Sequence, residues 1–266
     1  MKEIDKTIIW SLFDSETAIT QKLNDENYTV YSIGLPSSSA ITDNFIKMDL
    51  SRKSCLKKLE KLPKPDIIFA SPPCETWVGV SIGSVIFYKR NYNEHNLYWQ
   101  KNFKPNNYDD KHRELRLLGQ KTAYWTYKII DYFKPDLWVI ENGRSSYIFK
   151  YLYTYFGLKG FKNNAIYSAY CNVEFSMKPT VFYSNKKFML RNYPVKSKKL
   201  ISVPMSRVDK EIKSGVWKEL GFNSPTAYIK SQREMVESYA ERSKVPIGIY
   251  RDILNFYEGN GQQTLF

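Results

Sequence analysis

Short apolar runs rich in β-branched and aromatic residues recur through the first half of the chain. They are Thr7 to Phe13 (TIIWSLF), Tyr28 to Ile33 (YTVYSI), Asp66 to Ala70 (DIIFA) and Asp136 to Ile140 (DLWVI), with Phe45 to Asp49 (FIKMD) as a weaker fifth. Runs of this length, each followed by a turn or helix signal, predict buried strands. Between them lie helical stretches: Thr17 to Leu23, Lys53 to Leu62, and the long Lys111 to Phe133, where Leu115, Leu118, Thr122, Trp125 and Ile129 fall on one face. Pro63, Pro65 and Pro135 stop helices just ahead of strands. Strands alternating with helices imply an α/β fold, with a mostly parallel sheet built by right-handed crossovers.

After about Tyr151 the pattern changes. Shorter aromatic strands over Ala165 to Tyr170 and Thr180 to Tyr183 predict an antiparallel hairpin on the sheet edge. Lys186 to Lys230 reads as a small, basic, weakly periodic lobe punctuated by Pro194, Pro204, Gly215 and Pro225. Gln232 to Tyr257 returns to helix, interrupted at Val245-Pro246, and is expected to dock back on the sheet. Three regions follow: 1–185, 186–230 and 231–266. A chain of 266 residues has room for one large α/β domain and a smaller lobe.

Composition then narrows the partners. An apolar share of 42% with 16% aromatic residues excludes a disordered chain. Lys and Arg exceed Asp and Glu by 40 − 27 = 13, the usual footprint of a phosphate-backbone partner, although coding bias in an AT-rich genome produces a similar excess. The densest basic stretch is Phe87 to Arg113, within a segment 79–113 read as a long ordered loop. Here Lys89, Arg90, Lys101 and Lys104 interleave with Tyr88, Tyr92, Tyr98, Trp99, Phe103 and Tyr108. Cations can track phosphates there while aromatic faces stack on unpaired bases. No run approaches the roughly 18 to 20 apolar residues of a membrane span. Met1 to Asp5 lacks the basic flank and apolar stretch of a secretory signal, so the expected location is the cytoplasm.

Ligands of open α/β sheets sit outside the carboxyl ends of the strands. The candidate positions are therefore Phe13-Asp14-Ser15, Asp49, Ser71 to Trp77 (SPPCETW) and Glu141-Asn142-Gly143-Arg144. Cys55, Cys74 and Cys171 are too scattered for a disulfide framework or a zinc site, and no metal is expected. A cysteine after a strand is often a small core residue. Pro72-Pro73, however, cannot continue a central strand and would hold the Cys74 thiol at the rim. Glu141 is either a solvated loop carboxylate or, following the apolar run Leu137 to Ile140, a partly desolvated group suited to giving a proton.

These residues, in this order, resemble the S-adenosylmethionine-dependent DNA cytosine-5 methyltransferases, particularly small phage-type members. Asp66 to Trp77 (DIIFASPPCETW) looks like the family's strand and Pro-Cys nucleophile loop, and Trp138 to Arg144 (WVIENGR) like its Glu-Asn motif. Met177 to Asn185 (MKPTVFYSN) is similar to the Lys-Pro-Thr strand of the phage-type group. Glu241 to Leu254 (ERSKVPIGIYRDIL) is similar to the segment that returns to the cofactor pocket.

The resemblance implies a Rossmann-like methyltransferase fold with a small C-terminal lobe, S-adenosyl-L-methionine as cofactor and double-stranded DNA as partner. It makes Cys74 the nucleophile and Glu141 the acid. It assigns the cofactor to Phe13, Asp14, Ser15, Thr17, Asp49, Leu50, Pro73, Ser243 and Val245, and DNA or the target base to Asn142, Arg144 and Lys178; Lys89, Arg90 and Lys101 are assigned to DNA by the composition of their loop. On the same likeness 1–185 is the catalytic domain and 186–230 a target-recognition lobe, with a role in restriction-modification, phage protection or regulation. The chain departs from the family pattern at several places. Phe13 to Thr17 (FDSET) has no glycine, no carboxylate lies between Glu26 and Asp43, Ser176 stands where an Arg is common, and Gly143 replaces Pro or Val. A DNA-binding or regulatory protein on the same fold, or an RNA cytosine methyltransferase, fits the motifs as well, and monomer and dimer both remain open.

Overall fold

A computed structural model describes residues 6–14, 23, 27–35, 45–74, 77, 110–170, 178–193, 212–228 and 245–259. Seven strands form one sheet: β1 (Thr7–Leu12), β2 (Tyr28–Gly34), β3 (Phe45–Lys47), β4 (Ile67–Ala70), β5 (Leu137–Gly143), β6 (Phe161–Ile166) and β7 (Pro179–Ser184). The order is β3-β2-β1-β4-β5-β7-β6. The first five strands run parallel, and β7 pairs antiparallel with both β5 and β6. The helices include α1 (Cys55–Leu59), α2 (Asp110–Phe133), α3 (Ile148–Phe156), α4 (Val216–Glu219) and α5 (Ile247–Tyr257).

Alternation along each strand sends side chains to two apolar layers, which is why the strands read as continuous apolar runs. Trp10, Leu12, Ile68, Ala70, Trp138 and Ile140 face α1, α2 and α3, where Leu59, Ile129 and Phe149 meet them. Ile9, Val30, Ile67, Phe69, Val139 and Phe182 face α5, which covers them with Ile249, Tyr250, Ile253 and Leu254. Helix α5 thus packs on this face of the sheet.

The hairpin is present with shifted bounds. β6 begins at Phe161, and Tyr167 to Ala169 form a single 3-10 turn in place of the expected strand end. Two corrections concern α2. Its first residues, Asp110 to Arg113, are helix and not the end of the expected 79–113 loop, the rest of which lies outside the described residues. Leu118, expected on the buried face, is 43% exposed, whereas Thr122 and Ile129 are buried. Helix α3 had no place in the sequence-based expectations. Its Gly157 C-cap sits at φ 67, a left-handed conformation that glycine adopts without Cβ strain.

A mostly parallel seven-stranded sheet in this order, with β7 alone reversed and helices on both faces, is a Rossmann-like α/β architecture. Among the described residues no helix is long and apolar enough to cross a membrane.

Candidate active site

Strand register sets the level at which each chain leaves the sheet. Leu12 pairs with both Ile33 and Ala70, and Ala70 pairs with Ile140, so Phe13, Gly34, Ser71 and Glu141 stand side by side at the carboxyl rim. Strand order reverses between β1 and β4, the place where an open α/β sheet leaves a crevice.

At the exit of β1, Phe13 adopts φ 59 and turns the chain. A left-handed conformation costs a non-glycine residue roughly 1–2 kcal/mol, so packing must hold it there; the Phe13 ring lies against the core layer beneath α1 and α2. The Asp14 N–H then donates to the Ile33 carbonyl at 3.2 Å. This brings Asp14 across the end of β2, where a Cβ on Gly34 would lie 2.1 Å from the Asp14 carbonyl oxygen. No glycine follows β1, and the close approach is provided by the glycine that ends the neighbouring strand.

At the exit of β4, the Ser71 N–H donates to the Leu12 carbonyl at 3.1 Å. Pro72 is buried, while Pro73 and Cys74 are half-buried. The Trp77 N–H closes the turn on the Cys74 carbonyl at 2.9 Å, and the Tyr147 N–H donates to the Trp77 carbonyl at 3.0 Å. The buried Trp77 ring packs 5.1 Å from that of Tyr151. The turn is also held from β5: Asn142 Nδ2 donates to the Pro72 carbonyl at 3.1 Å while its Oδ1 accepts the Gly143 N–H at 3.1 Å. Asn142, expected at the DNA, is fully buried, and these two bonds engage it within the protein. An amide is suited to this place because it donates and accepts at once.

Glu141 points to the opposite face from Asn142 and is half-buried. The Tyr167 hydroxyl donates to Glu141 Oε1 at 3.0 Å. Lys178, at φ 27, sets its Nζ 4.6 Å from the centre of the Tyr167 ring, and the Thr180 hydroxyl donates to the Lys178 carbonyl at 3.1 Å. From α5 comes Tyr250, buried edge-on against Phe69 at 4.9 Å, with its hydroxyl bonded to the Ser71 side chain and near the Asp14 and Glu141 carboxylates. Burial first, and the nearby carboxylates second, push both Tyr167 and Tyr250 well above the ordinary phenol range, so both remain protonated.

Other expected residues are engaged elsewhere. Asp49 accepts from the Ser51 N–H at 3.0 Å, the Ser51 hydroxyl at 2.6 Å and Arg52 Nε at 2.8 Å. Burial opposes ionisation, but the Ser51 and Arg52 donors outweigh it and hold the carboxyl below its usual range. Leu50 and Val245 are buried in the two core layers. Arg144 is exposed, its guanidinium bonded to Asn192 Oδ1. Ser15, Thr17, Ser243, Lys89, Arg90 and Lys101 lie outside the described residues.

Tyr167, Thr180 and Tyr250 were not singled out from sequence. Tyr167 sits in what reads as a strand and Tyr250 on the apolar face of a helix, so periodicity marks both as core. Thr180 lies inside the Lys-Pro-Thr match, where only the lysine carries an obvious charge.

No protein-family model and no curated protein matches the chain. Among solved structures, the chain is similar to a candidate DNA modification methyltransferase encoded within a prophage of E. coli, at 13% identity and a TM-score of 0.39. The match covers 67% of this chain and 46% of that one, so the chain spans about half the length of the structure it matches.

Proposed function

We propose that the protein is an S-adenosylmethionine-dependent DNA methyltransferase that modifies cytosine at C5, with Cys74 as nucleophile and Glu141 as acid. The reading rests mainly on one observation: the turn bearing Cys74 is bonded through Asn142 to the strand end that carries Glu141. A thiol and a carboxyl are thereby fixed on adjacent strand ends, as covalent catalysis on a ring requires.

The chemistry follows from the target. Cytosine ring atoms cannot be reached inside a duplex, so the base must be flipped out. The Cys74 thiolate forms a bond to C6, and the electron density pushed into the ring is met by a proton from Glu141 at N3. The donor set beyond β1 suits a cationic cofactor: the Asp14 carboxylate lies at the strand-order reversal, within range of Tyr250. S-adenosyl-L-methionine would supply the methyl group for C5 when bound, and Phe13, Asp14, Ser15, Thr17, Asp49, Pro73 and Ser243 would hold it. Loss of the C5 proton to a base and return of the N3 proton to Glu141 then restore the ring, and Cys74 leaves as thiolate, a role cysteine fills because it is both a nucleophile and a leaving group. Arg144 and Lys178, with Lys89, Arg90 and Lys101, are assigned to phosphates and the flipped base, and the lobe 186–230 to the target sequence.

A second reading is a DNA-binding module on the same fold. It is favoured by Asp49, whose two oxygens are already engaged by Ser51 and Arg52. Bisulfite sequencing of DNA from cells expressing the protein, beside a Cys74→Ser control, separates the two. Protected cytosines only with the wild type support methyl transfer. Their absence, together with no calorimetric binding of S-adenosylmethionine, supports the binding module.

A further inference from the structure

Glu141 stands where a flexible side chain has several rotamers, yet proton delivery to one ring atom needs a single one. The Tyr167 hydroxyl reaches Glu141 Oε1 at 3.0 Å from a residue that is itself fully buried. Three features fix Tyr167. It opens a 3-10 turn directly after β6, so its backbone leaves the sheet at a set angle. Strand β6 runs parallel to β5 across β7, with Ile166 opposite Pro179 and Gly143 opposite Thr180, so Tyr167 leaves the sheet at the same rim as the end of β5. Lys178 Nζ caps the ring at 4.6 Å, and the Lys178 backbone is held by Thr180.

We propose that Tyr167 is a positioning residue, which donates its hydroxyl hydrogen to Glu141 and so fixes that carboxyl toward the ring nitrogen of the flipped base. The inference rests on the methyl-transfer reading of Glu141 given above. A tyrosine is suited to this task because its two stiff torsions are locked by packing, and because burial keeps it a donor throughout the working pH range. Lys178 then acts on the acid through the Tyr167 ring, in addition to any contact with phosphate.

Tyr167→Phe isolates the bond, since it keeps the ring beneath Lys178 and removes only the hydroxyl. Methyl transfer at saturating cofactor and DNA is expected to fall roughly 10- to 100-fold, the scale set by a displaced catalytic group, with cofactor affinity unchanged. In a Glu141→Gln background the same substitution is expected to cause no further loss, because two residues acting through one carboxyl are not additive. An infrared difference spectrum between each protein and its Glu141→Gln counterpart isolates the Glu141 carboxyl band, which is expected to move when Tyr167 becomes Phe.

Equal losses in both backgrounds would make Tyr167 a structural residue and overturn the inference, as would an unmoved carboxyl band. A moved band in a wild type that transfers no methyl group would instead support the hydrogen bond while contradicting the methyl-transfer reading.

Discussion

Asn142 donates its side-chain amide to the Pro72 carbonyl at 3.1 Å, and through that bond the end of β5 sets the turn that carries Cys74. Pro72 and Pro73 contribute rigidity, but rigidity alone does not choose a direction. The direction comes from Asn142, whose other end is held by the Gly143 N–H. Asn142→Ala should therefore cost about 1–3 kcal/mol of stability, the usual range for a buried polar group left unpaired. It should also slow methyl transfer more than it weakens DNA binding. Chemical denaturation and single-turnover kinetics on the same preparation test both parts.

Gly34 is required for a steric reason, since its Cβ position lies 2.1 Å from the Asp14 carbonyl oxygen. Gly34→Ala must push the end of β2 and the Asp14 turn apart, at about 1–3 kcal/mol for overpacking of this kind. Calorimetric titration with S-adenosylmethionine should show weakened binding, while Gly157→Ala, in open space at a left-handed φ, should lower stability and leave cofactor binding alone.

Cys55 gives a control for thiol chemistry. It is wholly buried at the start of α1, and burial pushes its thiol up to about 11. The neutral form is thus favoured by folding, so this thiol stabilises the fold below the ordinary thiol range, and that contribution is lost as pH rises from about 9 toward 11. At pH 8 only about one thiol in a thousand is ionised for such a value. Mass spectrometry after brief iodoacetamide treatment should find Cys74 alkylated and Cys55 unmodified until denaturant is added.

The segment from Phe87 to Arg113 is assigned to DNA from its composition, since all but its last residues lie outside the described structure. Replacing Lys89, Arg90 and Lys101 by Ala should flatten the salt dependence of DNA binding by about one unit of log-log slope per lost phosphate contact, leaving cofactor affinity intact. An unchanged slope with a shift from dimer to monomer in sedimentation would assign the segment to a protein interface.

The sheet was legible in the sequence because strands buried on both faces announce themselves as apolar runs, and prolines mark their starts. Leu118 misled because an apolar residue at helical spacing looks the same whether or not the partner layer extends that far. The rim was legible where chemistry is written in residue type, as in Pro72-Pro73-Cys74 and Glu141-Asn142. What Asn142 does was not, because an amide that reads a base and one that pins a turn share one letter. Tyr167 and Tyr250 were hidden for a related reason: a tyrosine buried for its ring and one buried for its hydroxyl give the same periodicity. Tyr167 meets Glu141 because β6 and β5 run parallel and end at the same rim, a pairing that no single stretch of sequence displays.

The central claim is a covalent bond between Cys74 and a cytosine ring. It is tested most directly with duplex DNA carrying 5-fluorocytosine, because fluorine cannot leave C5 as the proton does and the adduct is trapped. With S-adenosylmethionine present, the expected result is a denaturant-resistant protein–DNA complex whose proteolytic fragment carries the modified base on Cys74 and which Cys74→Ala does not form. An adduct on Cys55 or Cys171, or none with DNA that the protein binds and methylates, would contradict it.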